Sequence, residues 1–463
     1  MNLAHSSLGA GVPKPAEVLR IGAGAGFAGD RLDPAVDLVT FGQLDVLVFE
    51  ILAERTIALA QRRRRAGSGP GYDDRLAERM RSVLPEASRQ GTTLITNGGA
   101  ADPRGGGLAV LDVARDLGLR GCRVAVVTGD DVTQQIDLGQ CVALETGEPL
   151  AAYQDRLVSA NAYLGIAPLV EALSTRPQVV VAGRTTDVAL FLAPIFHRFG
   201  WRHDDWDRLA TGSIVGHLLE CAGQLTGGYF ADGARKYVPN LARLGFPFAD
   251  VGADGSAILT KLPRAGGRVD RATCTEQLLY EVENPAAYLT PDVSIDFRDV
   301  HLREVGPDAV RVSGGIGRPP PDTLKVSLGV DGGYVGIGEI SYAGPGGLAR
   351  AQLAADIIEE RWAEVYRREP GALQISFVGL TSCMPWLGRR TPSDADPPEV
   401  RLRVAVQDFN RAVVVELVRE VESLYTNGPA GGGGVETSVR DSVNLISTLV
   451  PRHLVEPKVE VLT

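Results

Sequence analysis

Short apolar runs alternate with longer helical patterns along the first half of the chain. The runs are rich in Val, Ile and Leu and end in Gly or a polar residue, a pattern typical of strands buried on both faces. They are VLRIG (18–22), LDVLVFE (44–50), TTLITNGG (92–99), CRVAVVTGDD (122–131) and QVVVAGR (178–184). Helices are predicted between them at 51–65, 73–90, 106–118 and 155–175. The alternation predicts an α/β fold with a Rossmann-like, mostly parallel sheet.

The pattern changes after about residue 230, where short strands are joined by Gly and Pro turns. Helices then follow near 348–368 and 410–426, interleaved with further strands. This order favours an α+β arrangement. A chain of 463 residues exceeds one ordinary core. We therefore predict a Rossmann-like domain over 15–230 and an α+β domain over 231–463.

Composition narrows the class of protein. The net charge of −10 argues against a nucleic-acid surface, and no apolar run reaches the ~18–20 residues that span a bilayer. The N-terminal segment has no secretory features, and the polar, Pro-rich segment 389–399 is expected to be an exposed loop. The five cysteines are widely spaced without a CxxC motif, which favours free thiols in a reducing compartment. We expect a cytoplasmic homo-oligomer.

The strongest chemical candidate is the segment 204–228, DDWDRLATGSIVGHLLECAGQLTGG. On a helix, the spacing i, i+3, i+4 and i+7 places His217, Glu220, Cys221 and Gln224 on one face. His217 is a candidate general acid or base because its pKa lies near neutrality. Cys221 is either a nucleophile activated by His217 or a buried small hydrophobe. The HExxH motif of zinc enzymes is missing, and no metal site is predicted.

A glycine-rich turn follows the first predicted strand, in IGAGAGFAGD (21–30). Gly24, Gly26 and Gly29 form GxGxxG, a spacing that lets a backbone approach a pyrophosphate. Glu50, at the end of the next strand, could then meet a ribose. The following residues lack the helical periodicity of a dinucleotide site. A nucleotide, a phosphate or carboxylate ligand, and a purely structural turn all remain open.

Polar side chains also follow three other predicted strands. Asn97 could orient a carbonyl or hydroxyl group, or cap a helix. Asp130 belongs to a carboxylate pair that could bind Mg²⁺, act as a base or cap a helix. Arg184 and Thr185 precede a helix and could bind an anion, unless Arg184 instead pairs with Asp187. Because parallel strands end at one edge of a sheet, we expect one shared cleft. Its expected lining is the Gly24–Gly29 turn, Asn97, Asp130, Arg184 and His217.

Several of these segments together resemble the acyclic terpene utilisation (AtuA) family. The segments that carry the resemblance, in chain order, are GFAGDR, DVLVFEILAE, ITNGGAADPR, VVTGDD, NAYLGIAPLVEAL, GRTTDVALFLAP, GHLLECAGQLTGG, GPAGGGGV and STLVPRHLV. The chain departs at VFEIL, where relatives tend to carry Gly-Asp-Tyr, so that Glu50 stands beside the usual acid's place. The resemblance implies a cytoplasmic protein from pathways that degrade branched acyclic isoprenoids through acyl-CoA thioesters.

Three functions follow as competing hypotheses. The first is a lyase- or hydratase-like enzyme for a branched acyl-CoA or related acid, with His217 as acid or base and Glu220 orienting it. Asn97 and Gln224 would hold the thioester oxygen, while Arg184 and the glycine loops would bind phosphate or carboxylate. The second is a nucleotide-dependent enzyme using NAD or ATP, and the third is a non-catalytic scaffold for a neighbouring enzyme. A CoA thioester is expected in preference to NAD.

Overall fold

The computed structural model describes residues 14–15, 17–384 and 397–463. Most of the N-terminal segment and most of the predicted loop at 389–399 lie outside them. The strands of the described part, in chain order, are β1 (Leu19–Ala25), β2 (Val46–Phe49), β3 (Thr93–Thr96), β4 (Val124–Thr128), β5 (Leu157–Ala162), β6 (Val179–Ala182), β7 (Pro247–Val251), β8 (Ala257–Lys261), β9 (Tyr288–Leu289), β10 (Ser294–Asp296), β11 (His301–Gly306), β12 (Ala309–Ser313), β13 (Ile316–Arg318), β14 (Thr323–Ala343), β15 (Gln374–Val378), β16 (Glu399–Asp408), β17 (Gly433–Pro451) and β18 (Lys458–Leu462). The α-helices are α1 (Asp33–Phe41), α2 (Glu54–Ala66), α3 (Leu76–Gln90), α4 (Pro103–Asp116), α5 (Ile166–Ser174), α6 (Asp187–Phe199), α7 (Trp206–Glu220), α8 (Arg271–Leu278), α9 (Gly347–Glu364) and α10 (Arg411–Asn427).

A ten-stranded sheet forms the centre of the fold, in the order β11-β12-β8-β7-β1-β2-β3-β6-β4-β18. Its five middle strands, β1-β2-β3-β6-β4, are parallel, and antiparallel strands continue the sheet on both sides. Every residue of β1, β2 and β6 is buried. Continuous burial explains why the sequences of these strands are unbroken apolar runs. The strand order differs from the 3-2-1-4-5-6 order of a Rossmann sheet.

The chain divides into two compact units. The first contains the described residues up to Gly329 together with Leu445–Thr463, and the second is Val330–Asn444. This division differs from the boundary predicted near residue 230. The change of pattern at 230 marks a change from parallel to antiparallel pairing, because β7 joins β1 and brings β8, β12 and β11 into the same sheet.

The second unit combines an antiparallel sheet with two helices. The sheet order is β15-β16-β14-β17. Strand β14 begins in the first unit and ends in the second, whereas β17 begins in the second unit and ends in the first. Buried side chains of α9, α10 and β16, including Ala351, Ile358, Trp362, Val404 and Leu417, form one apolar core. A separate three-stranded sheet, β13-β10-β9, belongs to the first unit.

The helix predicted over 155–175 is wrong in its first half. Residues 157–162 form β5, which pairs with β14, and α5 begins only at Ile166. Gly165 precedes α5 in an extended conformation, so it separates strand from helix. Across the described ranges, none of the helices combines the length and apolar character needed to cross a bilayer.

Candidate functional site

A cleft of about 810 Å³ lies at the carboxyl ends of the parallel strands in the first unit. The residues that line it come from the ends of β1, β2 and β6 and from the end of α7. Five of the predicted site residues line this cleft: Gly26, Arg184, Glu220, Cys221 and Gln224. Glu50 and Asp187 also line it. The edge of the sheet is where ligands bind in open α/β folds.

His217 and Glu220 form a hydrogen-bonded pair on the last turn of α7. His217 Nδ1 lies 2.8 Å from Glu220 Oε1, and His217 Nε2 lies 3.2 Å from the carbonyl oxygen of Leu278. A carbonyl oxygen can only accept, so Nε2 carries a hydrogen. A second proton then lies between Nδ1 and the carboxyl group. Burial lowers the pKa of His217. The charge of Glu220 and the hydrogen bonds to Glu220 and Leu278 together raise it by more, so the pKa lies above the usual value.

The two side chains differ in their access to the cleft: Glu220 lines it and His217 does not. His217 is only 1 % exposed and packs against the rings of Tyr288 and Phe297. It lies behind Glu220, and Glu220 itself lines the cleft. Glu220 is therefore the group of this pair that can exchange a proton with a ligand. His217 holds Glu220 Oε1 through their hydrogen bond.

Cys221 and Gln224 lie beyond the end of α7, so the predicted four-residue helical face stops at Glu220. Ala222 adopts φ 42°, which turns the chain out of the helix. Both residues still line the cleft. Burial, with the charge of Glu220, raises the pKa of the Cys221 thiol well above its usual range. Because the thiolate is the nucleophile, this environment favours an inert thiol.

Glu50 is held at the end of β2 by groups behind it. Its Oε1 accepts hydrogen bonds from Asn97 Nδ2 at 2.9 Å and from the Leu52 N–H at 3.0 Å. Asn97 Oδ1 accepts from the Ile51 N–H at 2.9 Å. Asn97 is fully buried and does not line the cleft, so it positions the Glu50 loop. Burial and the nearby Glu220 raise the pKa of Glu50 above its ordinary value.

Arg184 is a buried counter-ion for the carboxyl groups of the cleft. One guanidinium nitrogen, Nη1, donates to the Leu52 carbonyl, and Nη2 lies 3.3 Å from Asp187 Oδ1. The guanidinium also lies 4.1 Å over the Tyr163 ring. Burial lowers the pKa of Arg184, but Asp187 and other neighbours raise it above the usual value. The pairing with Asp187 is one of the two alternatives that the sequence left open.

Asp130 and Thr185 lie away from this cleft. Asp130 accepts from the Arg184 N–H and from Asn161 Nδ2, both at 2.9 Å, and lines a separate cavity of about 230 Å³. Burial raises the pKa of Asp130 to about 6. Thr185 is fully buried. In the described ranges, no group of three His, Cys, Asp or Glu side chains is placed to hold a metal ion.

The glycine-rich turn uses its own carboxylate where a dinucleotide site would place a phosphate. Asp30 Oδ2 accepts the Gly26 N–H and Asp30 Oδ1 accepts the Arg31 N–H, both at 2.9 Å. Helix α1 begins at Asp33 and contains Pro34, so no helix opens directly at the last glycine. Both features weaken the nucleotide interpretation of the turn.

Packing accounts for two of the three glycines. A Cβ atom on Gly24 would lie 2.8 Å from the Phe49 ring, and one on Gly26 would lie 2.5 Å from the backbone of Cys221. A Cβ atom on Gly29 would meet the Phe27 ring, which is exposed. The turn therefore needs small residues so that β1 can approach β2 and the end of α7.

Charge in the cleft is predominantly negative. Its described lining carries six carboxyl groups against two guanidinium groups. The acidic residues are Asp30, Glu50, Glu54, Asp187, Glu220 and Glu281, and the basic residues are Arg31 and Arg184. Burial raises the pKa of Glu50 and that of Asp187 above their ordinary values. Sequence reasoning did not group these acids, because they come from five separate segments.

One family model matches the chain. It is described as "Acyclic terpene utilisation family protein AtuA" and covers residues 19–461. Neither the curated proteins nor the solved structures contain a match to the chain.

Proposed function

The chain belongs to the acyclic terpene utilisation (AtuA) family, and we propose that it is an enzyme of lyase- or hydratase-like proton transfer on a branched acyl-CoA thioester. The observation that carries the proposal is the Glu220–His217 pair, whose carboxyl group lines the cleft. Family membership indicates a part in acyclic terpene utilisation. The reaction and the substrate are our inference from the cleft.

Glu220 has the surroundings of a general base. The charge of Glu220 and the hydrogen bond to it raise the pKa of His217, which favours the imidazolium form of the ring. Such a pair can take a proton from the carbon next to a thioester carbonyl, a step that general bases accelerate by about 10²–10⁴-fold. Gln224 lies on the same cleft and carries an amide N–H that can donate to the thioester oxygen.

The lining of the cleft agrees with the acyl part of such a substrate. Apolar side chains contribute to it alongside the acids: Ile51, Leu52, Leu241, Leu244 and Phe246. A branched hydrocarbon chain can pack on these side chains. The excess of carboxyl groups repels phosphate, so we expect the nucleotide part of CoA to stay outside the cleft.

The test uses branched 3-hydroxyacyl-CoA and 2-enoyl-CoA thioesters in D₂O. Enoyl absorbance reports loss or addition of water, and mass spectrometry reports deuterium at the α-carbon. We expect Glu220→Gln to lose about 10²-fold or more in rate, the usual effect of removing a general base. Cys221→Ser, at the neighbouring position, is the matched control and should keep most of the rate.

Two results would count against the proposal. If the wild-type protein neither exchanges the α-proton nor interconverts the two thioesters, the enzymatic assignment fails and a non-catalytic role gains support. If Glu220→Gln reacts as fast as the wild-type protein, the assignment of this site fails.

A further inference from the structure

Two carboxyl groups of the cleft, Glu50 and Glu220, are held in the same manner. In each, one carboxyl oxygen is hydrogen-bonded to neighbouring groups of the protein. Glu220 Oε1 is bonded to His217, and Glu50 Oε1 accepts from Asn97 and from the Leu52 N–H. Within the described residues, the Oε2 atom of each has no hydrogen-bond partner in the protein. Both residues line the cleft. Each therefore presents one uncommitted oxygen to a ligand.

The groups behind the two carboxyl groups differ in charge. Glu220 is hydrogen-bonded to the imidazole of His217, a ring that can become a cation. Glu50 is backed by a neutral amide and a backbone N–H, and it is only 8 % exposed. Burial and the charge of Glu220 raise the pKa of Glu50, and the opposing effects of Asn97 and Arg184 are smaller. Enzymes that combine an acid and a base often rely on two carboxyl groups whose environments separate them in this way.

We propose that Glu50 is the catalytic acid that protonates the leaving hydroxyl group of a 3-hydroxyacyl thioester, while Glu220 removes the α-proton. The inference rests on the proposed function and adds a second catalytic residue to it. The C–H bond at the α-carbon breaks and its proton goes to Glu220. The C–O bond at the β-carbon breaks, its oxygen takes the Glu50 proton, and water leaves.

The products of this step balance without a further reactant. The substrate becomes an enoyl thioester and one water molecule, Glu220 ends protonated and Glu50 ends ionised. Transfer of the proton from Glu220 to Glu50 through water restores the starting state. Hydration of the enoyl thioester is the same sequence in reverse. Asn97 acts as a positioning residue, because it holds Glu50 Oε1 and leaves Oε2 to carry the proton.

The experiment compares Glu50→Gln with Glu220→Gln on two substrates. Glutamine keeps an oxygen that can accept from Asn97 and Leu52 but carries no transferable proton. With a branched 3-hydroxyacyl-CoA, both variants should lose about 10²-fold or more in water elimination. With the saturated branched acyl-CoA, where no hydroxyl group leaves, Glu50→Gln should still exchange the α-proton in D₂O and Glu220→Gln should not.

Infrared spectroscopy provides a readout that is independent of turnover. Burial also raises the pKa of Asp187, so the readout is the difference spectrum between the wild-type protein and Glu50→Gln, in which bands common to both proteins cancel. At neutral pH, that difference spectrum should contain the carbonyl band of one protonated carboxyl group. In a second readout, Asn97→Ser removes a hydrogen bond that lowers the pKa of Glu50. The alkaline limb of the elimination rate should therefore move to higher pH.

Different results separate this inference from the proposed function. Elimination by Glu50→Gln near the wild-type rate, or loss of exchange together with elimination, would overturn the role of Glu50 alone. Absence of the carboxyl band from the difference spectrum of the wild-type protein and Glu50→Gln would do the same. A wild-type protein that performs neither reaction would overturn the proposed function, and this role with it.

Discussion

Arg184 shows how single residues connect the parts of the cleft. Its backbone N–H is bonded to Asp130, its Nη1 to the loop after β2, and its Nη2 lies beside Asp187. A guanidinium is suited to this position because its donors lie in one plane and remain charged when buried. The contacts indicate that Arg184 acts first as an internal counter-ion.

We therefore expect Arg184→Lys to lower the free energy of unfolding by about 1–3 kcal/mol, the usual cost of leaving a buried polar group without its partner. An ammonium group keeps the charge but cannot reach the Leu52 carbonyl and Asp187 as a planar fork does. Chemical denaturation measures the change. Asp187→Asn should lower stability as well, and the double variant should lose less than the sum of the two. Unchanged stability with weakened thioester binding would instead indicate direct anion binding by Arg184.

Asp130 should make stability depend on pH. Its pKa rises from 3.8 to about 6 on folding, so the folded protein binds more protons than the unfolded chain between these values. The contribution of Asp130 to the free energy of unfolding is fully present below pH 3.8 and is lost as the pH rises through about 6. Asp130→Asn removes this dependence and can still accept both hydrogen bonds. Relative to the wild-type protein, the free energy of unfolding of the variant should increase by up to about 3 kcal/mol between pH 4 and pH 8.

Urea denaturation at several pH values measures that difference. Asp131→Asn removes the same charge from the next residue, which is exposed, and controls for net charge. A difference between wild type and Asp130→Asn that stays constant from pH 4 to pH 8 would show that burial of Asp130 does not perturb its titration.

At the scale of elements, the parallel strands could be predicted because their burial is continuous. The runs at 44–50 and 178–184 contain β2 and β6, and their polar last residues do lie at one edge of the sheet. The strand at 157–162 could not be recognised, because its pairing partner, β14, lies more than 150 residues further along. Pairing of this kind is set by tertiary contacts rather than by local pattern.

One contact of the candidate site was predictable from the sequence, but the access of its two side chains to the cleft was not. The spacing of His217 and Glu220 predicted their contact, which the structure forms. It could not show which of them reaches the cleft, because Leu278, Tyr288 and Phe297 cover His217 from a segment beyond the predicted domain boundary. The surroundings of Glu50 include Asn97 and Arg184, which lie far from it in the sequence, so no local pattern predicts these interactions.

The close approach of the glycine-rich turn to the end of α7 gives a prediction about packing. A Cβ atom on residue 26 would lie 2.5 Å from the carbonyl carbon of Cys221, and backbone cannot rotate away. Gly26→Ala should therefore lower the free energy of unfolding by about 1–3 kcal/mol, as overpacking does. Because the strain falls beside Glu220, the variant should also lose the α-proton exchange that we propose for the cleft.

Gly29→Ala is the matched control within the same turn. The three atoms nearest to its Cβ atom would all belong to the Phe27 side chain, which is 61 % exposed. We expect a change in stability smaller than that of Gly26→Ala. If thermal denaturation shows equal losses for the two variants, the approach of the turn to α7 is not what requires glycine at position 26.

At the scale of the whole molecule, the first unit depends on segments from both ends of the chain. Strand β18, which follows the second unit in sequence, pairs antiparallel with β4 from Lys458↔Thr128 to Leu462↔Val124. It covers the edge that β4 would otherwise present. The apolar sequence of β4 makes an open edge there a site for pairing with other chains.

Deletion of residues 458–463 should therefore destabilise the protein and make it aggregate. The loss should include roughly 1.5–3 kcal/mol for the side chain of Leu462 alone, which is buried against α4. Denaturation and light scattering measure the two effects. The control is the double variant Lys458→Ser with Glu460→Ser, which keeps the backbone pairing and Leu462. It loses only the exposed ion pair between Glu460 and Arg104, so its stability should change by less than about 1 kcal/mol. A truncated chain that stays monodisperse and as stable as this control would show that β18 does not protect the edge of the sheet.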